Sequence, residues 1–162
     1  MARMRVFYED WQMGCCGEPF SVGDEVGWRL VALDEEQLRD GHCYGARAWV
    51  ENHGGPDRET AGRVRSIDLV HQEYLAHRDP LAVEPAAAEP GTLVVRGTGR
   101  RLEPGPGAPV LEPVDSCPKW FEEFEDEEQA PRQVPYRVRR AVGVLVTLEV
   151  PDATPHRPRD RS

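Results

Sequence analysis

Phe7-Tyr8-Glu9-Asp10-Trp11-Gln12-Met13-Gly14-Cys15-Cys16-Gly17-Glu18-Pro19-Phe20-Ser21-Val22-Gly23-Asp24-Glu25-Val26-Gly27-Trp28 holds two Trp, three other aromatics and two of the chain's four cysteines. Large apolar side chains at this density mark one ordered unit. Its last third decides the fold. Phe20 and Val22 alternate into a Gly23-Asp24 turn, and Val26 and Trp28 resume the alternation, as at a strand-turn-strand corner of a small β-barrel.

Period-two patterns extend outward from that corner. Met4, Val6 and Tyr8 alternate with Arg5, Phe7 and Glu9, which predicts a first strand over 3–11. Strands are also predicted over 26–33, 43–51, 62–75, 93–102 and 136–150. In the last of these, Val142, Val144, Val146 and Leu148 share one face, and Gly143 marks a bulge or a close approach. Asp34 is placed to cap one helical turn that Gly41 stops, and 52–57 reads as a turn. Ten of the fifteen prolines fall between His77 and Pro135, so loops are expected to dominate there.

The chain has 162 residues, 15 Gly and 15 Pro, a composition that suits a short-stranded, loop-rich β protein. The expected organisation is one mostly β domain over 1–150, an SH3-like or OB-like barrel of about five to seven strands. Residues 77–135 form its loop-rich part and 151–162 a flexible tail. No run approaches the roughly 20 apolar residues that span a bilayer, and the start lacks a signal-peptide pattern. A cytoplasmic protein with no membrane association is therefore expected.

Nineteen Arg against one Lys, with one Ile and one Asn, follow from a GC-rich coding bias and need no phosphate ligand to explain them. A net charge of −9 argues against nucleic acid as a partner, because that affinity rests on neutralising phosphates. Residues 1–75 carry about −6, 76–128 about −7 and 129–162 about +4. Acidity peaks over 122–128, and Arg132, Arg137, Arg139 and Arg140 follow it.

The segments Tyr8 to Met13, Cys15-Cys16-Gly17, Pro19-Phe20, Val22-Gly23-Asp24, Gly62 to Ile67 and Asp115 to Phe121 together carry a resemblance. They are similar to a family of small actinobacterial proteins that has no assigned activity. The resemblance implies a shared fold and a bacterial origin, and it implies no function.

Four chemistries are compatible with these residues. Cys15, Cys16, His53 and Cys117 offer thiolates and an imidazole of the kind zinc takes, although paired CxxC spacing is absent. The same thiols equally suit small buried core residues, so the default is no cofactor, with zinc as the alternative. A Cys–His enzyme would need Cys16 beside His53 or Cys117 beside His42, and no motif commits the chain to catalysis. Gly97-Thr98-Gly99 lacks the third glycine and following helix of a phosphate loop. Single-stranded nucleic acid would need Arg63, Arg65, Arg96, Arg100 and Arg101 beside Trp11, Trp28, Tyr44 and Trp49 on the barrel face. The favoured reading is a non-enzymatic binding or accessory module for a protein partner. Trp120, Phe121 and Phe124 ahead of the acidic run, with Trp11 near the Cys15-Cys16-Gly17 loop, are its expected contact residues.

Overall fold

The computed structural model describes residues 2–52, 58–87, 93–125 and 135–151. Two long strands form its spine. β5 (Thr60–Arg78) and β11 (Tyr136–Val150) pair antiparallel along almost their whole length, from Tyr136 opposite Ala76 to Glu149 opposite Arg63. Their alternation buries Val64, Ile67 and Val70 from one, and Val144, Val146 and Leu148 from the other. β1 (Ala2–Glu9) runs antiparallel to the second half of β11, and β4 (Ala48–Val50) lies parallel to β1. β3 (Leu30–Ala32) pairs with β4, and β2 (Glu25–Trp28) pairs with the start of β5.

The path β2-β5-β11-β1-β4-β3 is a nearly closed barrel of six strands, and the two strands at its ends are separated only by Arg29. The Glu51 amide donates to the Arg29 carbonyl, which carries the β3–β4 ladder to that corner. One continuous stretch thus serves both ends of the path. Around the barrel every neighbour pair is antiparallel except β1 with β4, and helix α1 (Asp10–Cys16) follows β1. That is the OB arrangement entered at a different strand, so of the two expected barrel types the OB-like one fits.

The core inside the barrel gathers Val6, Tyr8, Met13, Phe20, Val50, Val64, Ile67, Val146 and Leu148. Tyr8, Phe20 and Trp28 pack as one aromatic group, with Trp28 edge-on to Tyr8 at 5.3 Å and to Phe20 at 4.9 Å. A second cluster of Phe7, Ala46, Val70 and Leu145 lies on the outer face of the same sheet, where the 42–45 segment covers it.

Several elements differ from the sequence expectation. The first strand ends at Glu9 rather than Trp11, because Asp10 opens a helix whose buried side, Gln12, Met13 and Cys15, packs into the fold. The corner at Gly23 has one strand arm only: Ser21 makes a single bridge to Ser116, and Gly23 takes φ +97°. The expected 43–51 strand is a 3₁₀ turn over His42–Gly45 followed by the short β4. The 93–102 stretch is two strands, β7 (Leu93–Gly97) and β8 (Arg100–Pro104), folded at Gly99 with φ +71°. Within the expected loops, β6 (Val83–Ala87) pairs with β7, while β8 and β9 (Val110–Val114) extend the outer edge of β5. β10 (Glu123–Glu125) lies on β11. Edge strands tolerate prolines that interior strands reject, which is why the proline count misled. The capped turn at Asp34 holds: α2 (Glu35–Arg39) has a full capping box between Asp34 and Gln37. Much of the acidic run and the 152–162 tail lie outside the described residues. Among the described residues, no helix is long and apolar enough to cross a membrane.

Candidate functional site

β1 sends Phe7 and Glu9 to the outer face of the barrel, opposite the interior set of Val6 and Tyr8. The 41–45 loop is held over Phe7 in an uncommon backbone state. Cys43 and Tyr44 both take φ +56°, in the left-handed region that costs a side-chain-bearing residue about 1–2 kcal/mol each. Gly41 and Gly45, at φ +78° and +93°, flank them and make the tight turn feasible. The result is a Tyr44 ring 5.2 Å from the Phe7 ring and tilted 57° to it.

Two adjoining clefts share Phe7, Glu9 and Tyr44 as a common wall. One, of about 480 Å³, runs under α2 and the 41–45 loop and is completed by Leu33, Cys43 and Trp49. The other, of about 220 Å³, is completed by Asp10, Trp11, Tyr74 and Arg140. Aromatic rings therefore surround a carboxylate on one continuous surface. Burial raises the Glu9 pKa above 4.5, and Glu51 raises it further. A hydrogen bond from Trp11 and the Arg140 charge pull the other way. The Arg140 guanidinium faces Asp10 at 3.7 Å and Glu123 at 3.6 Å, so carboxylates on two elements answer its charge. Burial raises the Tyr44 and Tyr74 phenols above 10.0. The neighbouring Tyr74 phenol raises Tyr44 further, whereas the Arg140 charge and the contact with Tyr44 oppose the rise in Tyr74. Burial and the Glu9 charge push the Cys43 thiol up to about 11.

A third cleft, about 540 Å³, opens at the end of α1 between Tyr8, Cys16, Glu18, Trp28, Asn52 and Glu59. Asn52, the only asparagine, knits its wall together. Its side chain donates to the Tyr8 hydroxyl at 2.9 Å, and its backbone N–H donates to the side-chain Oε1 of buried Gln12 at 2.8 Å. Cys15 is buried and Cys16 half-buried, with their sulfurs 2.9 Å apart. Lys119 closes the end of the helix, donating to the carbonyls of Met13 at 3.1 Å and Gly17 at 2.8 Å.

Trp11 lies in the Glu9 cleft, half-buried. Trp120 is exposed, with the Lys119 ammonium 5.8 Å from its ring centroid, whereas Phe121 turns inward against the barrel core. Phe124 pairs with Arg139 through the backbone on β10. Cys117 is buried in the core, its thiol pushed by burial to about 12, while His53 lies outside the described residues. Among the described residues no three His, Cys, Asp or Glu side chains gather closely enough to hold a metal ion. The strand arginines face carboxylates: Arg63 reaches Glu25 at 2.8 Å, Arg65 reaches Glu149 at 3.2 Å, and Arg100 reaches Glu123 at 2.6 Å. Trp28, considered as a stacking platform, packs against Tyr8 and Phe20 instead.

Sequence reasoning missed Glu9, Tyr74 and Arg140 as neighbours, because they come from three strands far apart in the chain. One local signal was available. Glycines at 41 and 45 bracket His42-Cys43-Tyr44, a pattern of a forced turn rather than a strand.

No curated protein and no solved structure matches this chain. A family model does, over residues 2–150, which takes in every strand from β1 to β11 and all three clefts. The chain belongs to that family, a family of unknown function (DUF6578).

Proposed function

We propose that this protein is a non-enzymatic binding module whose outer barrel face receives a cationic side chain from a basic protein partner. One observation carries the reading: Phe7, Tyr44 and Trp49 line a single cleft together with the Glu9 carboxylate. Aromatic faces attract a cation through their quadrupoles, and a carboxylate among them adds directional charge. The net charge of −9 would steer such a partner toward the surface. Strain in the Cys43-Tyr44 turn is a cost that the fold sustains to hold one wall of this cleft. By fold-level analogy only, the outer face of the β11 and β1 strands corresponds to the surface on which OB barrels bind their ligands. The carboxylates Glu9 and Asp10 on that face disfavour a phosphate chain and favour a cation. Exposed Trp120 supplies a second, smaller contact in the same reading.

Calorimetric titration with short peptides bearing lysine, trimethyl-lysine or arginine tests this. Saturable binding is expected, weakening as salt rises, and at least tenfold weaker in Trp49→Ala and Glu9→Gln. The reading is overturned if no such peptide binds, if both variants bind as the parent does, or if a single-stranded oligonucleotide binds more tightly than every peptide.

A further inference from the structure

The mouth of the barrel holds a thiol pair that the outer cleft does not use. Cys15 and Cys16 close helix α1 with their sulfurs 2.9 Å apart. Both are anchored. Cys15 is 1% exposed, and the helix end carrying them is tied down by the two Lys119 hydrogen bonds and by the Gly17 amide to the Met13 carbonyl. Gly17 permits this closure, since a Cβ there would meet the Tyr8 hydroxyl at 2.5 Å and the Met13 sulfur at 2.7 Å. Cys16 is half-buried and opens into the cleft beside Tyr8 and Asn52, so a small molecule has a route to the pair.

The spacing selects among soft centres. A tetrahedral zinc with bonds of about 2.3 Å needs its thiolates about 3.8 Å apart, and a linear two-coordinate ion needs about twice the bond length. A three-coordinate pyramidal centre, whose narrow bond angles bring its ligands close together, asks for the smallest opening of the 2.9 Å contact. We propose that Cys15 and Cys16 form a dithiol site for trivalent arsenicals and similar pyramidal thiophilic centres. The chemistry is a condensation with no change of oxidation state. An arsenous or arsonous hydroxide loses two As–OH bonds and gains two As–S bonds. Each thiol proton leaves with a hydroxyl as water. The chelate ring closes across one peptide bond, so the second As–S bond forms within the molecule at high effective concentration.

The test uses the reduced full-length chain and phenylarsine oxide as the probe. Intact mass should show one arsenical per chain, and thiol titration of the adduct after unfolding should show two of the four thiols blocked. Excess of a small dithiol should release the adduct, and a monothiol should not. Cys16→Ala, at the half-buried position, should reduce affinity at least a hundredfold, while Cys43→Ala should retain binding. Circular dichroism on each variant confirms that it is folded, so the test does not depend on the buried Cys15 tolerating change. The proposal is overturned if the native chain takes up no arsenical, if the adduct consumes Cys43 or Cys117, or if folded Cys16→Ala binds as the parent does. It is also overturned if zinc displaces the arsenical at equal concentration.

Discussion

Gly143 on β11 lies against the Tyr8 carbonyl and the Phe7 ring on β1, so closely that a Cβ on it would overlap both. Its φ of +155° is a backbone state that other residues rarely adopt, and the β5–β11 register skips Val142 beside it. This bulge lets β11 leave β10 and take up β1 as its neighbour. It also sets the Phe7 ring that floors the outer clefts. Gly143→Ala should therefore destabilise the fold by about 2–4 kcal/mol, since a steric clash and an unfavourable φ act together. Urea denaturation of the two proteins measures it, and an unchanged midpoint would contradict the packing described.

Trp120 and Phe121 are neighbours with opposite roles. Trp120 is 63% exposed, whereas Phe121 packs against the core. Trp120→Ala should leave stability within about 0.5 kcal/mol, the usual range for a surface change. Phe121→Ala should cost about 2 kcal/mol, somewhat less than a fully buried Phe. Thermal melts of both variants check the contrast, and equal losses would mean that the two side chains share one environment.

Lys119, the only lysine, works as a clamp between the 117–121 segment and helix α1. Replacing it by Met keeps its length and removes both charge-assisted hydrogen bonds. A loss of about 1.5–3 kcal/mol is expected. The same variant should speed native-state amide exchange at Gly17, whose own carbonyl loses its donor and whose amide bonds the Met13 carbonyl that Lys119 also holds.

Alkali should unfold the protein from about pH 9 upward. Burial pushes the Cys117 thiol from 9.0 to about 12 and Cys43 to about 11, and it raises Tyr8, Tyr44 and Tyr74 above 10.0. These groups hold their protons more tightly when folded, so their contribution is intact below the unfolded values. It is lost as pH rises toward the folded ones. Stability followed by urea midpoints should fall between pH 9 and 12, and Cys117→Ala should flatten that fall. Glu9 acts in the same sense at low pH: its raised value favours the fold below about 4.5, the ordinary carboxyl value, and the benefit fades above it.

Local chemistry was legible in the sequence wherever one residue acts on its near neighbours. The period-two runs of β1 and β11, the bulge or close approach at Gly143, the Asp34 cap and the mostly β, barrel class all follow from alternation, turn residues and short-range hydrogen bonding. Helix α1 escaped, since seven residues are too few for a periodic pattern and its stability comes from burying Met13 and Cys15. The clefts escaped for a stronger reason. Phe7, Tyr44, Tyr74 and Arg140 lie on different elements, and only the pairing of β11 with both β1 and β5 makes them neighbours. The sequence by itself determined the long strands β1, β5 and β11 and the turns at Asp34 and Gly23, because those choices cost or gain free energy within a few residues. The tertiary structure alone decided that Trp120 faces solvent while Phe121 faces the core, and that Glu9 stands among aromatic rings. Burial and charge environment arise from residues far apart in the chain, and no local pattern encodes them.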